Sequence, residues 1–395
     1  MGLFKRRIFE MTKRTICVVI TARPSYSRVK TALQAIKEHP NLKLQIILGS
    51  SILIDKYGSA GNIIAADGFN ISAKVFNLIA GESKSMMAKT TGLAIMELST
   101  IFENLKPDIV VTIADRYETI ATSIAASYQN IPLAHIQGGE VTGNIDEKVR
   151  HANTKLSDLH LVSSKDAYDR IIALGEISEN IFITGCPSID LAHEVLNQPK
   201  LDFDLIKKYG GVGASIKTNS TYLVVLQHPV TTEEDRVSHQ INQTLEAIKD
   251  IDKPTIWLWP NSDLGADRLS RELRRFRESN NSNKIRFFKN FEPQDFLKIL
   301  YNSSCVIGNS SVGIRECSYL GVPVVNIGSR QNMRIRGKNV IDCEYNTGQI
   351  VDSIQKQLRI GKYDRDILFG EGDSGRKIAE VLNSWSLSYH KTITY

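Results

Sequence analysis

No apolar run in this chain approaches the ~18–20 residues that a membrane-spanning helix needs, so a soluble protein is expected. The opening MGLFKRRIFEMTKRT is basic but holds no apolar segment of ~7–15 residues. That excludes a secretory signal, and the stretch reads as a frayed extension with Met11 as an alternative start. Cysteines are few: Cys17, Cys186, Cys305, Cys317 and Cys343 are odd in number and scattered. With no CxxC pair, neither a disulfide framework nor a structural zinc site is expected, and free thiols fit a reducing cytoplasm. The 8 histidines form no HExxH and no cluster, so no metal held by protein ligands alone is expected. Charge of one sign is also lacking. Lys plus Arg number 49 against 43 Asp plus Glu, and the resulting +6 is too mild for nucleic-acid binding yet suits an anionic substrate.

What is present is 395 residues of ordinary globular composition, 42% hydrophobic and 23% charged, more than one core usually serves. Short β-branched runs alternate with helical periodicity. Strands are predicted at Thr15–Thr21, Leu44–Leu48, Asp108–Ile113, Leu133–Ile136, Leu159–Val162 and Ile181–Ile183. The rhythm pauses over Asn197–Ser220, which places the domain boundary near Pro187–Ser220, then resumes at Tyr222–Leu226, Thr255–Leu258, Ile285–Phe288, Cys305–Ile307 and Val324–Asn326. Strand, helix, strand at this spacing predicts parallel sheets covered on both faces. The fold class is therefore α/β, two doubly wound Rossmann-like domains with a deep cleft between them. The expected division is residues 1–195, residues 196–374, and a final helical segment 375–395 that packs back on the first domain.

Chemistry-bearing residues gather at the carboxyl ends of the predicted strands, where such folds bind ligands. TARPSYSRVK follows the first strand: Arg23 offers a charged fork, and Ser27 is either a ligand group or a plain N-cap. In ADRYETI, Asp115 falls just past a strand end, its alternative role being a cap for the helix near Glu118. The densest stretch is HIQGGEVTGNIDEKVRHANTKLS, with Gly138, Gly139 and Gly143 turning the chain and a helix opening near Asp146. Asp146 and Arg150 are spaced i,i+4 on that helix, to pair or to reach one ligand. His228 directly follows a strand in the second half. The turn Gly308-Asn309-Ser310-Ser311-Val312-Gly313 opens a helix over Gly313–Leu320 bearing Glu316, a cradle for a diphosphate with a carboxylate for a ribose. Two tempting signals carry less. Gly81–Ser85 lacks phosphate-loop spacing and reads as a capped helix start. The basic run Arg268–Arg277 reads as a solvated helix face.

The succession ARPSYS, ADRYE, HIQGGEVTGNIDEKVRHANTKLS, GCPS, QHPVT, GNSSVGIRE and GVPVVNIGSRQ resembles the hydrolysing UDP-N-acetylglucosamine 2-epimerases of sialic-acid-type sugar pathways, from Thr15 to about Asp342. The resemblance implies a GT-B-like fold and a nucleotide-sugar substrate, with no cofactor and a homodimer. The implied products are a free C2-epimer and UDP. It implies that Arg23, Ser27, Ser310, Ser311, Glu316 and Arg330 hold the uridine diphosphate, with Asn309 beside them, and that Asp115, Arg116, Asp146, Arg150 and His228 face the sugar. Where the family often has a glutamate, this chain has Gln137, which cannot act as a general base. Either proton transfer falls to Asp115, Asp146 or Glu140, or the chemistry tolerates a substrate-positioning amide at Gln137. The rival readings are a GT-B glycosyltransferase and an inactive sugar-nucleotide-binding protein.

Overall fold

The computed structural model describes residues 13–54, 60–79, 84–141, 145–230, 232–260, 265–279, 284–388 and 391–394. The basic extension up to residue 12, Gly143, and residues 81–83 of the segment read as a capped helix start lie outside them.

Predominantly apolar, β-branched runs such as CVVI and IVVTI suit strands buried on both faces, and they form the centre of the first sheet. Its strands are β1 (Arg14–Ile20), β2 (Leu42–Gly49), β3 (Ala73–Val75), β4 (Ile109–Ile113), β5 (Leu133–Ile136), β6 (Leu159–Val162) and β7 (Ile181–Ile183). They are all parallel, in the order β3-β2-β1-β4-β5-β6-β7. The second sheet holds β8 (Val212–Gly213), β9 (Leu223–Leu226), β10 (Thr255–Leu258), β11 (Ile285–Phe288), β12 (Cys305–Gly308), β13 (Val324–Ile327) and β14 (Val340–Cys343). Its order is β14-β13-β12-β9-β10-β11-β8, parallel except for the β8–β11 pair. The strand order reverses between β1 and β4 in one sheet and between β9 and β12 in the other. These two switch points are where a doubly wound sheet opens a crevice. Both supply the site described below.

Eleven strands lie where the alternation placed them. The three not foreseen, β3, β8 and β14, are edge strands of only two to four residues. Helix Pro187–Asn197 was also unforeseen. It starts on Pro187, whose missing N–H costs a first turn nothing, and it buries Ile189, Leu191 and Val195 in the core of the second sheet. Its Asp190 accepts from Thr31 Oγ1 (2.7 Å) and from the backbone N–H groups of Ser374 (2.9 Å) and Gly375 (2.7 Å). One carboxylate thus caps the helix Ser374–Ser384 and ties it to the first half. That helix buries Ile378, Ala379 and Leu382 beside Ile16, Val29 and Ile36 of the first sheet's core. Further on, Lys391 Nζ reaches Glu176 (2.6 Å) and the Thr154 carbonyl (3.2 Å), gripping the end of helix Ile145–Leu156. No helix among the described residues is long and apolar enough to cross a membrane.

Candidate active site

After β1, Pro24 sits in the first turn of a short helix, Arg23–Ser27. Ser27 ends this helix, and its hydroxyl donates to the Pro24 carbonyl (3.0 Å). It is therefore not the N-cap of the following helix, Lys30–Glu38, which begins after Val29 without a side-chain cap. Arg23, Ser27 and Arg28 all line a cleft between the two sheets, facing His228, Ser310, Ser311 and Glu316 from the second. The cleft encloses roughly 1050 Å³ of empty space, its open mouth included. Its second-half wall is apolar, built from Leu226, Leu258, Trp259, Phe291 and Phe296. A flat ring fits such a wall beside a polar turn.

Beyond β4 the backbone is strained: Ala114 has φ 57°, in the left-handed region that non-glycine residues avoid. Buried His135 supports that strain. Its Nε2 donates to the Ala114 carbonyl (2.9 Å), so Nδ1 accepts from Thr154 Oγ1 (3.1 Å) on helix Ile145–Leu156. Burial pulls the imidazole down to about 3, so it is neutral in the folded chain. A neutral buried histidine makes stability acid-sensitive. The unfolded chain takes up a proton below about pH 6.5 that the folded chain refuses until about pH 3, so stability falls as pH falls through that window. Between pH 7 and pH 5 the expected loss is about 2 kcal/mol. Melting curves at the two pH values read it, and a His135→Asn chain should lack this part of the pH dependence.

The prop aims Asp115. Its carboxylate receives the Arg150 guanidinium in a close ion pair and Arg28 Nη1 at 3.5 Å. It does not cap the helix near Glu118, whose 3-10 turn starts after Arg116 without a side-chain cap. Arg28 continues with Nη2 to Ser311 Oγ (3.4 Å), so one guanidinium spans both halves of the chain. Arg150 also donates to the Glu140 carbonyl (2.7 Å). Asp146, one turn before Arg150, is half-buried in the first turn of the same helix. Arg116 Nε turns to Glu118 (2.8 Å).

The loop after β5 is equally constrained. Gln137 has φ 64°, and Gly139 has φ 74° with the Ala167 carbonyl where a Cβ would be. Gln137 donates to Cys186 Sγ (2.7 Å) and accepts from Arg315 (3.4 Å). Glu140 is nearly sealed. Ser163 donates to Oε1 (2.8 Å), while Arg334 (2.8 Å) and Arg315 (3.5 Å) meet Oε2. Burial opposes its charge, but those two arginines prevail and hold the carboxyl below its usual range. Both arginines come from the second half. Glu140 therefore bolts the halves together behind the cleft wall and is absent from the lining.

In the second half, the Asn309 side chain accepts from the His228 N–H (2.8 Å) and donates to the His228 carbonyl (2.8 Å). Fully buried, it fixes where His228 enters the cleft. Asn309→Ala would strand both backbone groups, and at about 1–3 kcal/mol per unsatisfied group a loss of roughly 2–5 kcal/mol is expected in urea unfolding. Ser310 caps the helix Ser311–Ile314, accepting from Val312 N (3.4 Å). The expected single helix over Gly313–Leu320 is in fact two four-residue pieces, because Arg315 (φ −98°, ψ −74°) breaks it. A helix that short has little macrodipole, so charge at this turn comes from side chains. Arg315 Nη2 donates to Ser311 Oγ (3.0 Å), and its Nε stands 3.9 Å from Glu316. Arg330 lies behind the turn and donates to the Asn309 carbonyl (3.1 Å), as Gln331 does (2.9 Å).

Of the sequence candidates, then, Arg23, Ser27, His228, Ser310, Ser311 and Glu316 line the cleft. Asp115, Arg150, Gln137 and Glu140 form the buried cluster next to it, and Asn309 and Arg330 support the turn. Arg28, Arg315 and Arg334 were missed, although all three sit in or beside the blocks that drew attention. An arginine next to a motif carries no pattern of its own until the fold brings it to a carboxylate.

Comparison with known proteins bears on this geometry. The family model described as UDP-N-acetylglucosamine 2-epimerase matches residues 34–383. A UDP-N-acetylglucosamine 2-epimerase of Neisseria meningitidis serogroup B is 31% identical over 386 residues, covering 96% of this chain and 98% of that relative. A UDP-N,N'-diacetylbacillosamine 2-epimerase (hydrolyzing) of Legionella pneumophila is 32% identical, covering 94% and 96%. Among solved structures, the UDP-GlcNAc 2-epimerase from Neisseria meningitidis bound to UDP-GlcNAc superposes with a TM-score of 0.76 at 18% identity, covering 93% of this chain and 99% of that one.

Proposed function

The chain belongs to the UDP-N-acetylglucosamine 2-epimerase family, and from that premise we propose that it hydrolyses a UDP-N-acetylhexosamine to UDP and the free C2-epimer. The observation that carries this reading is the Arg28 guanidinium, which joins Asp115 of one half to Ser311 of the other. A carboxylate able to take a proton and a turn able to hold a diphosphate are thereby one side chain apart.

The chemistry follows from the substrate. In an α-linked sugar nucleotide, C1–O and C2–H are antiperiplanar. A carboxylate removes the C2 proton, its electron pair forms the C1–C2 double bond, and the C1–O pair leaves with UDP. The glycal then takes a proton at C2 from the opposite face while water adds at C1. Asp115 is assigned to one face and Asp146 to the other, with His228 beside the departing phosphate. Negative charge on the diphosphate is met by Arg28, Arg315 and the Ser310–Ser311 turn. Glu316 serves the ribose, Arg23 and Ser27 complete the phosphate side, and the apolar wall at Trp259 and Phe291 takes the base. Arg330 and Asn309 hold the turn in place. Gln137 and Glu140 take no proton in this scheme, since both are bonded to arginines of the second half. The protein acts as a homodimer, without nucleic acid or membrane.

The test is a panel of UDP-N-acetylglucosamine and UDP-N,N'-diacetylbacillosamine assayed for UDP and free sugar. Equal amounts of UDP and free C2-epimer from at least one of them are expected. An epimer that keeps its nucleotide, or sugar released only when an acceptor is added, contradicts the reading.

A further inference from the structure

We propose that Lys391 is a positioning residue for the epimerisation. From outside the cleft it fixes the axial setting of helix Ile145–Leu156, and with it the places of Asp146 and Asp115, whose roles above this inference presupposes.

Asp146, Arg150 and Thr154 follow one another at i,i+4 spacing and lie along one face of this helix. Each leads to the proton-transfer groups. Asp146 is one of them, and Arg150 holds the carboxylate of the other, Asp115. Thr154 Oγ1 donates to His135 Nδ1 (3.1 Å), and His135 Nε2 donates to the carbonyl of Ala114 (2.9 Å), the residue before Asp115. A slide of the helix along its axis therefore displaces both carboxylates at once.

The far end of that face is held by Lys391. The last carbonyls of a helix have no partner within it and form its negative pole. An ammonium has three N–H groups, and those of Lys391 find three acceptors: the Thr154 carbonyl (3.2 Å), the Ser157 carbonyl and the Glu176 carboxylate (2.6 Å). Glu176 is only 4% exposed, and it also takes Lys155 of the helix (2.6 Å) and His160 of β6 (3.0 Å). Burial opposes its charge, but the hydrogen bonds from His160, Lys155 and Lys391 prevail and pull the carboxyl down to about 2. Helix and lysine thus share one fixed anion. Thr394 clips the same segment in place, donating its N–H to the Gly175 carbonyl (3.0 Å). Thr392, Ile393 and Thr394 are exposed, so the segment is a surface strap and not part of a core. Its grip on Thr154 lies about 12 Å along the helix from Asp146. Lys391 does not line the cleft, so it acts on turnover only through the helix.

Steady-state turnover and UDP titration of the full chain test this. Lys391→Met should lower kcat about tenfold, because displacements well under about 1 Å are enough, while KM and the Kd for UDP stay within about threefold. Lys391→Arg, which keeps the charge and the donors, should return kcat to within about threefold of wild type. A lysine that only stabilised the fold would lower the melting temperature and leave the kcat of the folded chain untouched. Thr394→Pro removes the clip at an exposed position and should lower kcat about threefold. Should Lys391→Met fail to fold, that variant decides alone. An unchanged kcat, a loss shared equally by UDP binding, or a loss that Lys391→Arg does not reverse overturns the positioning role and leaves the functional reading standing. A wild-type chain that releases no C2-epimer overturns the functional reading, and this inference with it.

Discussion

Replacing Asp115 by Asn is expected to lower kcat about a thousandfold while the Kd for UDP stays within about threefold. Asparagine keeps an oxygen for Arg28 and Arg150 but cannot accept a proton, so the two contributions of this residue separate. If Asp115 serves only to neutralise Arg150, whose guanidinium is buried and paired with it, then stability and UDP binding should fall together with turnover. That outcome would remove Asp115 from the chemistry. Asp146→Asn is expected to act in the same direction on kcat, and unchanged turnover in both variants would leave the scheme without its acid and base. Stopped turnover assays and calorimetric titration with UDP give the two quantities independently.

The second large effect is on the anion. Arg28→Met should weaken UDP binding by about 50-fold, the value of one or two charge-assisted hydrogen bonds at roughly 1.5–3 kcal/mol each. UMP, which lacks the second phosphate, should lose much less, so the ratio of UDP to UMP affinity falls in the variant. Burial and the neighbouring Arg315 already pull the Arg28 guanidinium down to about 10, an arrangement that an entering anion relieves. Equal losses for UDP and UMP would mean that Arg28 only ties Asp115 to Ser311. Arg330, by contrast, supports the turn through the Asn309 carbonyl, and its removal should act through loosening of that turn.

Much of this site was legible because α/β folds place function at strand ends. Asp115, Gln137, His228 and Asn309 each follow the last residues of β4, β5, β9 and β12, and apolar β-branched runs make those ends visible in sequence. The short edge strands β3, β8 and β14 were invisible for the converse reason. They are only two to four residues long, too short for any alternation to distinguish them from loops. Helical spacing placed Arg150 beside Asp146 but gave no sign of its ion pair with Asp115, which comes from 35 residues earlier in the chain. Ser27 misled as well: a serine before a helix looks like a cap, yet here it closes the preceding helix. Long-range bonds such as Arg334 to Glu140 leave no local trace, since they exist only once the two halves have docked.

Glu140 illustrates how burial sorts carboxylates that sequence treats alike. Asp115 touches Arg28 at the cleft wall, whereas Glu140 has both oxygens engaged away from the lining. Two guanidiniums from the second half converge on it, so Glu140 sets the closure of the cleft and thereby the distance between Asp115 and the Ser310–Ser311 turn.

Turnover in deuterated water tests the account at its root. If the C2 proton is removed and returned from solvent, mass spectrometry and proton NMR of the released sugar should show one deuterium at C2 in every product molecule. Free sugar carrying protium at C2 would mean that the C1–O bond is hydrolysed without elimination, and the roles given to Asp115 and Asp146 would be wrong.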